Sequence, residues 1–200
     1  MSDVKSEQPA VNMGNWISKS WDLVFSDLGN FILITLLYVV INAVVSGTII
    51  GIFLVAGPLT VGYFISIAKK IRGEKLEIGD LGKGFQYFAA AFLSSIVISI
   101  FVSIGFIFLI IPGIVISALY MFTPLFIIEQ NLDFWSAMEA SRKLAQPHIF
   151  ELSVFMVLLF IISMIGVLLC GVGVLIATPI CFTAVTLAYN ALTGKNIAAV

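Results

Sequence analysis

"FIFLIIPGIVISALYMFTPLFIIEQ", residues 106–130, passes from one apolar run through Pro112-Gly113 into a second, then meets Pro124 and closes on Glu129-Gln130. Such a stretch is a long buried helix, a core strand, or the crest of a membrane hairpin. A strand is excluded by length, since strands end after about 4–8 residues. The choice between the other two lies in the flanks.

No charged residue occurs between Asp27 and Lys69, between Lys83 and Glu129, or between Glu151 and Lys195. Each gap is about 40–45 residues long, and one helical passage through a bilayer core takes about 20. Three gaps of double length predict three helical hairpins and six crossings, so residues 106–130 read as the turn and return leg of the middle hairpin. Composition agrees: the chain is 60% hydrophobic and 10% charged, with a mean hydropathy of +1.14. Soluble domains carry about 25% charged residues.

Turn signals fall near the middle of each gap: Gly47, Gly51 and Gly57-Pro58 in the first, Gly105 and Pro112-Gly113 in the second, Gly171 and Gly173 in the third. Glycine and proline break helices through backbone freedom and a missing N–H. Gly57, Pro58, Pro112, Gly113, Gly171 and Gly173 are therefore expected to shape the turns, with Pro179 opening the last return leg. "PLTVGYFISIAKKIRG" (58–73) and "PICFTAVTLAYNALTG" (179–194) both run from proline to glycine over equal length, which suggests a degenerate internal repeat. The expected division is a disordered cytoplasmic leader (1–14), one transmembrane domain (15–194) with hairpins near 29–71, 85–128 and 149–192, and a short tail (195–200).

Lys19, Lys69, Lys70, Arg72, Lys75, Lys83, Arg142, Lys143 and Lys195 all fall on the side of the termini and long loops. The positive-inside rule places that side, with both termini, in the cytoplasm. Before each hairpin comes an amphipathic segment. In 15–28, Ile17, Trp21, Val24 and Leu28 are apolar at helical spacing; in 131–146 Phe134, Ala137, Met138, Ser141 and Ala145 form one face. A shorter middle segment, "IGDLGKGFQYF", carries Leu81, Phe85 and Phe88. Helices of this kind lie in the interface plane, and tryptophan favours headgroup depth, so Trp16, Trp21 and Trp135 are expected to be interface anchors. The fold class is thus all-α: six transmembrane helices as three hairpins, each preceded by a cytoplasmic amphipathic segment.

The run of "DLGKGFQYF", "LIIPGIVISALYMFTPLFIIE" and "AMEASRKLAQPHIFEL" resembles small prokaryotic integral membrane proteins of the YciC-like kind. It is also similar to the glycerophosphoryl diester phosphodiesterase membrane-domain group. The resemblance covers roughly residues 15–192 and implies a helical protein of the prokaryotic cytoplasmic membrane. The catalytic barrel of that group has no counterpart here, so its activity is not implied.

Residues that carry chemistry are few. His148 is the sole histidine, and no zinc-protease, nucleophile-elbow, phosphate-loop or paired-cysteine motif occurs. Catalytic residues, metal and cofactor are all expected to be absent. Cys170 and Cys181 lie in apolar runs and read as packing residues. A net charge of −1 lacks the basic patch that nucleic acid requires. Glu129 and Arg142 are candidates for a boundary ion pair. Ser95, Ser99 and Ser103 recur every fourth residue, a small-residue stripe that lets helices approach closely, whether within the chain or against a second copy. No ionisable residue falls inside a crossing, where ion pathways would need one. The expected role is an accessory or scaffold protein, with lipids, a further copy or another membrane protein as partners. The alternative is a small transporter or channel for a neutral or lipid-like solute.

Overall fold

A computed structural model describes residues 11–47, 49–169 and 172–194, leaving the side chains of 49–53 aside. Most of the expected leader, Gly171 and the tail beyond Gly194 lie outside the described residues. Among the described residues the chain is all-helical, and six helical segments are long and apolar enough to cross a membrane.

Helix α1 (Met13–Ser26) begins at Asn12, whose side chain accepts the Asn15 N–H at 3.0 Å. It leads into α2 (Leu28–Val45), which turns at Ser46-Gly47 into α3 (Ile49–Ile71). Helix α4 (Asp80–Lys83) and a 3-10 turn (Gly84–Tyr87) feed α5 (Phe88–Phe108). Helices α6 (Ile110–Tyr120) and α7 (Thr123–Gln130) make the return leg, followed by α8 (Phe134–Ala145). A second 3-10 turn (Gln146–His148) joins α9 (Ile149–Leu168), and α10 (Val174–Thr193) ends at Gly194, whose φ of +66° is the left-handed cap that suits glycine.

Five of the expected turn residues sit elsewhere. Gly57 and Pro58 lie inside α3, because the first hairpin has already reversed at Ser46-Gly47. Gly57 serves close approach: a Cβ there would come within 2.4 Å of the Ala91 carbonyl oxygen on α5. Pro179 is likewise interior to α10. In the second hairpin the connection is Leu109 alone, in extended backbone. Pro112 and Gly113 form the first turn of α6, where a missing N–H leaves no bond unmade. Gly173 does lie in the third turn.

Pro124 divides the fourth segment. It offers no N–H to the Tyr120 carbonyl, so α6 stops there and α7 starts afresh with the proline in its first turn. Ser141 of α8 bridges the break: its hydroxyl donates to the Leu119 carbonyl at 2.7 Å and accepts the Phe122 N–H at 3.2 Å.

The buried centre is built by the return legs. Helix α3 packs on α2, α5, α7 and α10, and α10 packs on α1, α2, α3 and α9. Lipid tails are as apolar as leucine, so close packing rather than water exclusion holds such helices together. Large side chains fill the interior, among them Tyr63, Tyr189, Phe122 and Phe155.

Of the amphipathic segments, α8 keeps its expected face and the other two differ from expectation. On α1 the buried stripe is Trp16, Ser20 and Val24, while Trp21 is exposed. Ser20 is accommodated because its hydroxyl bonds to the Trp16 carbonyl at 2.6 Å. On α8 the buried face is Ala137, Met138, Ser141 and Ala145, as expected. In the middle segment Leu81 is buried and Phe85 and Phe88 are exposed.

Candidate functional site

The charged residues gather where α3 meets α4. Lys69 and Lys70 end α3, and Asp80 opens α4. The segment from Asp80 to Gly84 lies backbone-to-backbone against α3. A Cβ on Gly62 would fall 2.1 Å from the Leu81 carbonyl oxygen, and one on Gly84 would fall 1.9 Å from that of Pro58. This contact draws Asp80 out of water altogether, at 0% exposed. Its Oδ1 accepts from Lys69 Nζ and Lys83 Nζ, each at 2.7 Å, and its Oδ2 accepts the Glu77 N–H at 3.2 Å. A buried carboxylate needs partners of this kind, since an unpaired one pays several kcal/mol of desolvation. Beside it Lys70 reaches Asp27 at 2.6 Å, fastening α3 to the junction of α1 and α2.

A second polar group fastens the interior. Thr35 and Tyr63 share a hydrogen bond of 2.6 Å between α2 and α3, and Tyr38 and Thr60 share one of 3.2 Å. Phe182 of α10 packs against the rings of Tyr38, Tyr63 and Phe64. The Tyr189 hydroxyl donates to the Glu129 carboxylate, tying α10 to the end of α7. Other hydroxyls bond back to helix carbonyls, as Ser66 does to Gly62 and Thr186 to Phe182. Thr123 and Thr183 are buried with their hydroxyls unpartnered.

The candidate residues therefore separate. Arg142 pairs with Glu139 through two bonds, at 2.7 and 2.8 Å, one turn away on α8, rather than with Glu129. A neighbour at three-residue helical spacing is the nearer partner, and the Glu129 carboxylate is held by Tyr189 instead. On α8, ahead of the fifth span, this Arg142 contact holds the Glu139 carboxyl down to about 2. At the start of α8, hydrogen bonds from Ser136, with the Trp135 N–H, hold the Asp133 carboxyl below its ordinary range. Trp16 is not an interface anchor: it is 4% exposed and meets Phe155 edge-on at 5.4 Å. Trp21 and Trp135 are half-exposed. The serine stripe packs at one end only. The Ser95 hydroxyl lies 2.8 Å from where a Gly57 Cβ would stand, while Ser99 and Ser103 are exposed.

His148 is half-buried at the start of α9. Cys181 is half-buried beside Ser163 and the Leu159 carbonyl, and Cys170 lies outside the described residues. Among the described residues no three His, Cys, Asp or Glu side chains converge as metal ligands would. A hollow of about 400 Å³ opens between α1 and the ends of α3 and α10, lined by Trp16, Lys19, Ile71 and Asn190.

Sequence reasoning passed over Asp80, Gly62, Gly84 and Tyr189, and gave Ser141 only as part of the α8 face. A signal existed for the first three: an acid among three glycines in "GDLGKG" and a glycine facing it on α3. Nothing local marks the partners of Ser141 and Tyr189, which lie 22 and 60 residues away. Set against known protein families, curated proteins and solved structures, the chain finds no match.

Proposed function

We infer that this chain is a non-enzymatic accessory or scaffold protein of a prokaryotic cytoplasmic membrane, acting on the organisation of lipids or of membrane partners. One observation carries the reading: the polar side chains inside the bundle fasten helices to each other, as in Thr35–Tyr63, Tyr38–Thr60 and Tyr189–Glu129. A transport path would present such groups to a solute. The exposed Trp21 and Trp135, carried on helices packed into the bundle, support a role at the headgroup layer. The distribution of lysine and arginine supports cytoplasmic termini.

A second reading has an observation of its own. The unpartnered hydroxyls of Thr123 and Thr183 suit a small neutral solute, in keeping with a transporter or channel. Flux of neutral solutes and of labelled lipids in proteoliposomes separates the two. Rates equal to those of empty vesicles are expected, and a protein-dependent flux overturns the scaffold reading. Orientation is tested with cysteines in intact cells: Ser46→Cys should label from outside and Glu74→Cys should not.

A further inference from the structure

Resting on the membrane reading, we propose that the hollow between the start of α5 and the α7–α8 loop is a lipid site, selective for a headgroup that carries an ammonium. It measures about 410 Å³ and is lined by Gln86 and Tyr87 of the 3-10 turn, Ala90 and Leu93 of α5, and residues 131–134. Small-ligand sites span about 300–1,000 Å³.

The fold fixes its walls. Asn131 turns the chain out of α7 in the left-handed region, at φ +49°. Asp133 then caps α8, accepting the Trp135 N–H at 3.2 Å and the Ser136 N–H at 3.4 Å. Between these two, Leu132 packs on the buried core, as Tyr87 and Ala90 do from the other side. The hollow is therefore built before any ligand arrives.

Its two ends differ in chemistry. From Gln86 to Leu93 the lining advances about 10 Å along the helix, at 1.5 Å per residue. Gln86, Asn131 and Asp133 make one end polar, while Ala90 and Leu93 belong to the charge-free run that follows Lys83. Phe88 and Trp135, the neighbours in sequence of Tyr87 and Phe134, are exposed, and tryptophan favours the headgroup layer. A polar end joined to an apolar wall at that depth matches a lipid headgroup and its first methylenes.

Charge selects the headgroup. Asp133 is the one charged side chain in the lining, and its hydrogen bonds hold the carboxyl below its ordinary range, so it is ionised at neutral pH. Its full charge exceeds the half charge of the α8 N-terminus beside it. No lysine or arginine lines the hollow, and Lys83, just ahead of it in sequence, is held by Asp80 at 2.7 Å. Tyr87 and Phe134 add two aromatic rings, whose faces attract ammonium groups. The same carboxylate repels a headgroup of net negative charge. Gln86 and Asn131 bring amide N–H donors for the phosphodiester that lipid headgroups share.

Native mass spectrometry reads the preference, using the whole protein in detergent with equimolar palmitoyl-oleoyl phosphatidylethanolamine and phosphatidylglycerol. Retained ethanolamine lipid should exceed the glycerol lipid roughly two- to fivefold, the ratio an exposed cation–aromatic contact supplies. The N-acetylated ethanolamine lipid keeps phosphate and chains but lacks the ammonium, and should bind no better than phosphatidylglycerol. Asp133→Asn should bring the ratio close to one with little change in thermal midpoint, since asparagine caps a helix as well as aspartate. Tyr87→Leu should lower the ratio as well, while Asp22→Asn, on α1 and outside the hollow, should leave it unchanged. Equal retention of the two lipids, or a preference that survives Asp133→Asn, overturns the proposal. So does displacement of the lipid by an equal concentration of free phosphoethanolamine, which would make the ligand a soluble amine. Those outcomes leave the scaffold reading standing, and solute flux would sink that reading without touching this ratio.

Discussion

Gly62→Ala tests the seam that buries Asp80. The new methyl would stand 2.1 Å from the Leu81 carbonyl oxygen, 2.7 Å from its carbon and 2.9 Å from its Cα. All three are backbone atoms, so no side chain can swing aside. Restoring an ordinary contact of 3.4 Å requires the segment to retreat by about 1.3 Å, the difference between those distances. Overpacking of this kind costs roughly 1–3 kcal/mol. The same retreat stretches the Lys69 and Lys83 bonds to Asp80, charge-assisted contacts worth about 1.5–3 kcal/mol when lost. Alanine returns up to about 1 kcal/mol of helix propensity. The net loss is about 2 kcal/mol, near thirtyfold in the unfolding equilibrium. For a chain of this size it lowers the midpoint by about 4–8 °C. Thermal unfolding in one detergent, followed by tryptophan emission, measures it. Gly29→Ala and Gly82→Ala are the controls, since nothing lies within 4 Å of either added methyl. If Gly62→Ala melts together with those controls, the seam does not have the closeness described.

Asp80→Asn should lower stability by about 2–3 kcal/mol, less than the usual 3–5 for a broken buried pair because Lys83 is part-exposed; pairing it with Lys69→Met should recover part of the loss in a denaturant titration. Ser141→Ala leaves the Leu119 carbonyl and the Phe122 N–H without their partner, costing about 1–3 kcal/mol in the same titration. Ser95→Leu should lower the melting temperature because it faces Gly57, whereas Ser99→Leu, on an exposed position, should leave it unchanged. Trp16→Ser should destabilise by about 3 kcal/mol or more, while Trp21→Ser with Trp135→Ser should spare the fold and weaken partition to small, highly curved liposomes.

The architecture was legible because lipid imposes simple accounting on a sequence: charge-free gaps of double length fixed the hairpins and the polar end together. Helix breaks were less legible. Pro58 and Pro179 read as turns, yet a proline inside a packed helix is held by its neighbours, and the reversal had already come at Ser46-Gly47. Trp16 and Trp21 have the same chemistry and sit on the same helix. Only the angle at which α1 meets α10 decides that one is core and the other surface, and periodicity leaves that angle free. Ser141 and Tyr189 act across long separations, where a single sequence carries no signal. Asp80 was visible as an acid among glycines, but its burial follows from a backbone contact that residue types alone do not announce.

The position of α10 has a consequence for biosynthesis. The last helix made is the one against which α1, α2, α3 and α9 all pack. At about 5–20 residues per second, on the order of 10–30 s separate completion of α1 from completion of α10. Through that interval α1 lacks the α10 surface it packs on, and the bond from the Tyr189 hydroxyl to Glu129 is unmade. Closure is therefore a late, single event at the end of translation. A nascent chain arrested anywhere before Gly173 exposes the same unfinished seam to the membrane's proteases.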